Sequence, residues 1–312
     1  MSNFRQNNPS HQKTIVKKDA EFFISLCQSG KHSFVYVGVL DARQQVHTLS
    51  IIGKAFVERI GLVKWSSFLI DEYNCWLNLP NQKIKFKSFN LTYSQVVDYF
   101  DIVGAYNQTI NHYNLSCDEN NYYFTLLDNQ CNYSDLRLSS ANPNFLTLCN
   151  TCRHTAIEII EQINQQTMVN NRQRQFFITP PWQGVMINGT LTAYPFYILP
   201  SPPNTNWLKY SLKKYRILKS LYSCLYRLAK KPSTCKENDY IKFSKLKELY
   251  NKLTELKFDS EQFISIIKTW ESKNKEIIDT YRCTTLVSNF RMNYLASKTR
   301  TRKIINKLLY SP

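Results

Sequence analysis

The chain has 312 residues, 43% of them hydrophobic, and a formal net charge of +17 with a sequence pI of about 9.4. That length suits one large domain or two ordinary ones, and the apolar content excludes disorder over most of it. No run of eighteen apolar residues occurs, so no spanning helix is expected, and the polar start MSNFRQNNPSHQKTIVKK does not have the pattern of a signal peptide.

The basic excess lies mostly after about residue 205. A basic half points to acidic partners, or simply to a lysine-rich solvated helical surface. The nine cysteines are irregularly spaced. There is no paired CxxC pattern for zinc, and most thiols are expected to be reduced, as in cytosol. Neither a metal nor a cofactor motif appears: P-loop, GxGxxG, HExxH and GxSxG are all missing. Sequons such as those at Asn90 and Asn107 are chance matches in a chain rich in Asn.

In chain order, residues 1–18 are polar and expected to be loose. KDAEFFISLCQSG suggests a short helix stopped by Gly30. HSFVYVGVL, DARQQ and VHTLSIIG form the clearest β-hairpin. Residues 54–80 hold a helix and a strand without a clear division. KIKFKSFNL alternates as a half-buried strand, and LTYSQVVDYFDIVGAYNQTI is a helix with Thr92 as its cap. YYFTLL is a short strand, and an Asn/Ser-rich loop runs to Pro143. A helix opened by Asn150 or Thr151 runs to about Gln166, followed by extended segments broken by prolines.

SPPNTN marks a boundary, after which the apolar period changes from two to about 3.6. WLKYSLKKYRILKSLYSCLYRLAK is expected as one long helix and IKFSKLKELYNKLTEL as a second. A third covers Asp259 to about Leu295, and KTRTRKIINKLLYSP forms a basic tail. The fold expected is α+β: a loose segment 1–18, an α+β domain at 19–204, and a basic all-α hairpin or bundle with its tail at 205–312.

The stretch NTCRHTAIEII, residues 150–160, carries the chemistry. It places Cys152 in the first turn of a helix, where unpaired N–H groups and the helix dipole favour the thiolate. The plainer alternative is a small buried residue. A nucleophilic thiol needs a base, and histidine is the usual one. Of five histidines, His11 lies in the loose segment and His112 in a loop. His154 is two residues from Cys152 on a helix and so points away from it, which leaves it a surface residue. His32 opens the strong strand, a rigid place to hold a base.

HSFVYVG and the Asn150-Thr151-Cys152-Arg153-His154 run resemble the two motifs of circularly permuted papain-like families. These include the lecithin retinol acyltransferase-like and permuted NlpC-type hydrolases, in which the histidine precedes the cysteine and the cysteine opens a later helix. The resemblance implies a permuted papain-like domain with Cys152 as nucleophile and His32 as general base. Asn150 and Thr151 would then form the helix start that helps bind an oxyanion. One residue is inserted between Asn and Cys relative to the family's motif, which leaves Cys149 as a weaker rival nucleophile.

The acyltransferase-like members place a second histidine on the partner strand. His47, expected opposite about Val39, lies about seven residues along the strand from His32, roughly 23 Å at ~3.3 Å per residue. It does not serve, and the third member is unassigned.

The Lys/Asn-rich composition, the hairpin, the NxCR-type helix start and the run FYILPSPP…LYSCLYRLAKKP also resemble Legionella-type effectors delivered by a Dot/Icm type IV secretion system. That resemblance implies a residence in the bacterial cytoplasm before export and then in the host-cell cytosol. The function expected is a thiol-dependent hydrolase or acyl/amide transferase acting on a host protein or an acyl substrate. The alternative is a non-catalytic effector that binds a host protein or an anionic membrane through its basic helices. Leu208, Leu212, Tyr215, Leu218 (or Ile217), Leu221, Tyr222 and Leu225 fall on one helical face and are read as core, and the lysines as the solvated side. No nucleic-acid motif appears, which argues against a nucleic-acid partner.

Overall fold

The computed structural model describes residues 13–59, 62, 65–77, 79–106, 113–126, 145–146, 150–175, 178–230, 236–280 and 299–310. The chain divides into two compact units, Met1–Ile198 and Leu199–Pro312, just ahead of the SPPNTN segment. The architecture is α+β with antiparallel sheets.

The first unit holds β1 (Lys13–Lys17), β2 (Glu21–Ser29), β3 (His32–Leu40), β4 (Val46–Arg59) and β5 (Trp65–Asp71), then α1 (Tyr73–Leu77), β6 (Gln82–Leu91) and α2 (Tyr93–Tyr106). It continues through β7 (Tyr113–Cys117), β8 (Asn121–Leu126), β9 (Phe145–Leu146), α3 (Cys152–Asn164), α4 (Asn171–Arg174), β10 (Gly184–Ile187), β11 (Thr190–Thr192) and β12 (Ile198–Leu199). The large sheet runs in the order β11-β10-β6-β2-β3-β4-β5-β9, and β1-β8-β7 forms a separate three-stranded sheet.

The hairpin β3–β4 stands where the sequence places it, with Val39 opposite His47. His47 pairs with the Asp41 carboxylate at 2.9 Å, so it serves the turn. Two expectations fail at the N-terminal end. The segment expected to be loose contributes β1, which pairs with β8 from Lys13↔Thr125 to Lys17↔Asn121. The stretch expected as a helix is the strand β2, and Gly30, at φ 55°, turns it into β3. Seven consecutive residues, Phe22 to Gln28, are buried. A helix with one core face cannot bury such a run, whereas a central strand covered on both faces does.

Helix α2 is capped as expected. The Thr92 hydroxyl accepts from the Gln95 N–H at 3.3 Å, and the Gln95 side chain accepts from the Thr92 N–H at 2.9 Å. Helix α3 packs across β2, β3 and β4. Its inner face buries Cys152, Ala156, Ile157, Ile159, Ile160 and Ile163.

The second unit holds α5 (Trp207–Tyr210), α6 (Leu212–Lys230), α7 (Lys236–Glu255), α8 (Ser260–Lys273), α9 (Lys275–Asp279) and α10 (Arg300–Tyr310). The first expected long helix is broken at Ser211, whose backbone is extended at φ −160°. Ser211 begins α6 anew: its hydroxyl accepts from the Lys214 N–H at 3.3 Å, so a serine cap wins over continuation. The expected third helix breaks at Asn274, whose side chain donates to the Trp270 carbonyl at 2.8 Å. Its continuation through residues 281–298 lies outside the described residues. The expected basic tail forms α10.

Buried cations tie these helices together. Lys214 donates to the Thr254 and Leu256 carbonyls at 2.9 and 2.7 Å, satisfying the C-terminal end of α7. Lys242 does the same for α9 through the Ile278 carbonyl at 3.2 Å and the Thr280 carbonyl. Arg302 grips both Asp279 oxygens at 2.7 Å and also reaches Glu271. No helix among the described residues is long and apolar enough to cross a membrane.

The Arg302 bonds hold the Asp279 carboxyl below its ordinary value. A depressed folded-state value adds stability above the unfolded value, near 3.9, that is lost as pH falls through the folded one. Arg302→Met is therefore expected to lower stability by about 1–3 kcal/mol at neutral pH. In urea titrations the gap to wild type should close as the pH falls below about 4.

Candidate active site

The strand register brings His32 and Cys152 together. Cys152 is the first residue of α3, with Thr151 as N-cap. The adjacent strand β3 begins at His32, and the Ser33 N–H donates to the Cys152 sulfur at 3.3 Å. The sulfur also lies 3.9 Å from the Lys31 carbonyl, and His32 and Cys152 are close enough for each to shift the other's titration.

Glu72 stands behind His32. His32 Nε2 lies 2.8 and 2.9 Å from the two Glu72 carboxylate oxygens. Glu72 follows β5 and opens α1. Its N–H donates to the Ile51 carbonyl at 2.8 Å, and the Trp76 indole donates to its Oε2 at 3.1 Å. The imidazole lies against Phe34, which packs on Trp76.

Glu72 reaches His32 across β4, and Gly53 makes the crossing possible. Gly53 pairs with Phe34 of β3 on one side and Ile70 of β5 on the other. A Cβ there would stand 1.8 Å from Glu72 Oε1 and 2.6 Å from Oε2. The carboxylate therefore occupies the space a side chain at 53 would fill.

The pairing sets the protonation states. Burial pushes the His32 value down, but the bonds to Cys152 and Glu72 outweigh it and raise it to about 10. Burial pushes the Cys152 thiol up, but His32 and the Ser33 and Arg153 N–H groups outweigh it and bring it below the ordinary value. Both shifts favour the thiolate–imidazolium form of the pair. Cys152 is 7% exposed, while the His32 side chain is 33% exposed, so the imidazole is the more open of the two groups.

Two further cations flank the cysteine. Lys54, buried on β4, donates to the Asn150 carbonyl at 3.4 Å, to the Asn150 side-chain oxygen at 3.2 Å and to the Thr155 hydroxyl at 3.2 Å. Burial lowers its value to about 8. Arg153 is buried and donates to the Gln173, Gln175 and Ile178 carbonyls, the Gln28 side chain and the Ser33 hydroxyl. It locks the start of α3 onto β2, β3 and the segment after α4.

Asn150 and Thr151 thus stand at the helix start as expected, with Asn150 bound to Lys54. His154 is not a surface residue. It is half-buried at the third helical position, and its Nδ1 accepts from the Thr151 N–H at 3.3 Å and lies 3.0 Å from the Thr151 hydroxyl. Burial first, then the neighbouring cations, lower its value, which suits that accepting role. Cys149, His11 and His112 lie outside the described residues. Among those described, no group of three or more His, Cys, Asp or Glu residues could hold a metal ion.

Glu72 was missed because segment 54–80 could not be divided into elements from sequence. The isolated Gly53 inside the apolar strand IIGKAF was the available signal, since a strand glycine marks a close approach. No family model matches the chain, and no curated protein and no solved structure is significantly similar to it.

Replacing Glu72 by Gln removes the charge that raises His32. The imidazolium is then lost at lower pH and the thiolate forms at higher pH, so the reactive window narrows from both sides. Gly53→Ala, which displaces the carboxylate, is expected to narrow it in the same way. Iodoacetamide labelling of Cys152 against pH, read peptide by peptide, checks both. A wild-type profile in either variant would contradict this geometry.

Proposed function

We propose that this protein is a thiol-dependent hydrolase or acyl/amide transferase with Cys152 as nucleophile, His32 as acid and base, and Glu72 as the group that orients and charges His32. The observation that carries the reading is the continuous set of contacts Glu72–His32–Cys152, drawn from three separate elements. A buried structural cysteine needs neither a neighbouring imidazole that lowers its titration nor a carboxylate behind that imidazole.

In this mechanism the Cys152 thiolate attacks an ester or amide carbonyl, forming a C–S bond and placing the charge on oxygen. The N–H groups at the start of α3 favour that oxyanion. Collapse breaks the bond to the leaving group, which takes the imidazolium proton of His32 and leaves a thioester. His32 then accepts a proton from water or an acceptor nucleophile as it attacks the thioester. The acid is released and the thiolate–imidazolium pair restored. Glu72 holds the ring through both of its carboxylate oxygens.

The order of histidine before cysteine, with the histidine at a strand start and the cysteine at a helix start on an antiparallel sheet, supports a permuted papain-like domain. The helices after Leu199 suit a helical bundle appended to it. The effector resemblance extends the proposal to export and action on a host protein or acyl substrate inside a host cell.

A 4-nitrophenyl ester tests the reading. Wild type is expected to release a stoichiometric burst of nitrophenol and to carry the acyl group on Cys152. Cys152→Ala should abolish both. In His32→Ala the imidazole no longer opposes burial, so the thiol rises and labelling of Cys152 at pH 7 should fall severalfold or more. If wild type gives no burst and Cys152 labels no faster than an ordinary thiol, the hydrolase reading fails.

A further inference from the structure

The charge of this chain is segregated. Residues 199–312 contain 24 Lys and Arg against 9 Asp and Glu, while residues 1–198 contain 16 against 14. No acidic residue occurs between Glu161 and Glu237. The whole of α5 and α6 therefore carries cations only.

The buried face of α6 is accounted for by Ile217, Leu218, Leu221, Cys224, Leu225 and Leu228. Its opposite face exposes Lys213, Arg216, Lys219 and Lys230. The first three recur every three residues and so form one stripe. Leu208 of α5 and Leu212 of α6 are each 45% exposed at the head of the stripe, beside the exposed Lys209 and Lys213. The apolar face expected from sequence thus departs at its N-terminal end: these two leucines are not core.

We propose that the α5–α6 face docks on an anionic lipid bilayer, with Lys209, Lys213, Arg216 and Lys219 at the headgroups and Leu208 and Leu212 inserted at the acyl boundary. The cations alone would suit any polyanion. The two leucines decide between them, because a phosphate backbone or an acidic peptide in water gives an isolated aliphatic side chain nothing to enter, whereas a bilayer interface does. Tyr215 lies under the Lys219 ammonium, 5.5 Å from ring centre to nitrogen, and is half-buried. The proposal is independent of the thiol chemistry.

The test uses the full chain and sedimentation with vesicles of phosphatidylcholine alone or with a third of the lipid replaced by phosphatidylserine. Binding is expected only to the second, weakening as salt rises. Lys213→Glu/Arg216→Glu/Lys219→Glu is expected to lose at least tenfold in affinity. Leu208→Ser/Leu212→Ser is expected to weaken vesicle binding severalfold while leaving retention on heparin unchanged. All five positions are exposed, and circular dichroism would show that both variants keep their helices. Equal binding to neutral vesicles overturns the proposal, as does unchanged binding by the charge-reversed variant. Binding to heparin or an oligonucleotide without binding to phosphatidylserine vesicles also overturns it and assigns the face to a polyanion in water.

Discussion

The candidate site depends on one missing side chain. Three neighbouring strands, β3, β4 and β5, must deliver an imidazole and a carboxylate to the same point, and the middle strand lies between them. Glycine at position 53 lets the Glu72 carboxylate lie over β4, where a methyl group would stand 1.8 Å from its oxygen. The backbone bond from Glu72 to Ile51 and the Trp76 indole then fix the carboxylate, and the carboxylate fixes the ring. Because the ring sits at the first residue of β3, the sheet itself carries it to the start of α3. Preorganisation of this kind places the reacting groups on packed elements, so little ordering is left for the moment of substrate binding.

A cysteine that is 7% exposed would ordinarily be inert, since burial disfavours its anion. Here the surroundings reverse that outcome. The imidazolium, the Ser33 and Arg153 N–H groups, and the cations of Lys54 and Arg153 all favour the thiolate, and the Glu72 carboxylate is spent on His32. The same cations have structural duties. Lys54 ties residues 150 and 155, on either side of the cysteine, to β4, and Arg153 satisfies three loop carbonyls at once. Holding the helix start in place and holding a negative charge on its first residue are therefore done by one set of side chains.

Much of this was legible beforehand where the signal was local. The period-two runs from His32 to Gly53 and the capping residues at Thr92 and Thr151 gave strands and helix starts close to those observed, and counting residues along the hairpin was enough to remove His47. What was not legible depended on neighbours. The strand β2 resembles a helix until both of its partners are known, because only burial on two faces explains its unbroken apolar run. The helix break at Ser211 turns on a serine hydroxyl that caps in one context and points to solvent in another. Glu72 required the β4–β5 register, which passes through an irregularity between Phe56 and Arg59 and is not inferable from alternation.

The helical unit uses its excess of cations in two ways, and the difference explains why charge alone is a poor guide to them. Lys214, Lys242 and Arg302 face inward, where each closes a helix end or a carboxylate pair. Their removal would leave carbonyls or carboxylates without partners. The cations along the outer face of α6 have no acidic residue on their own helix to answer them, and α5 before it has none either. A folded monomer gains nothing from such a one-signed stripe, since like charges at neighbouring turns repel. A stripe that opposes folding and ends in two exposed leucines is better understood as a surface whose complement is supplied from outside the chain.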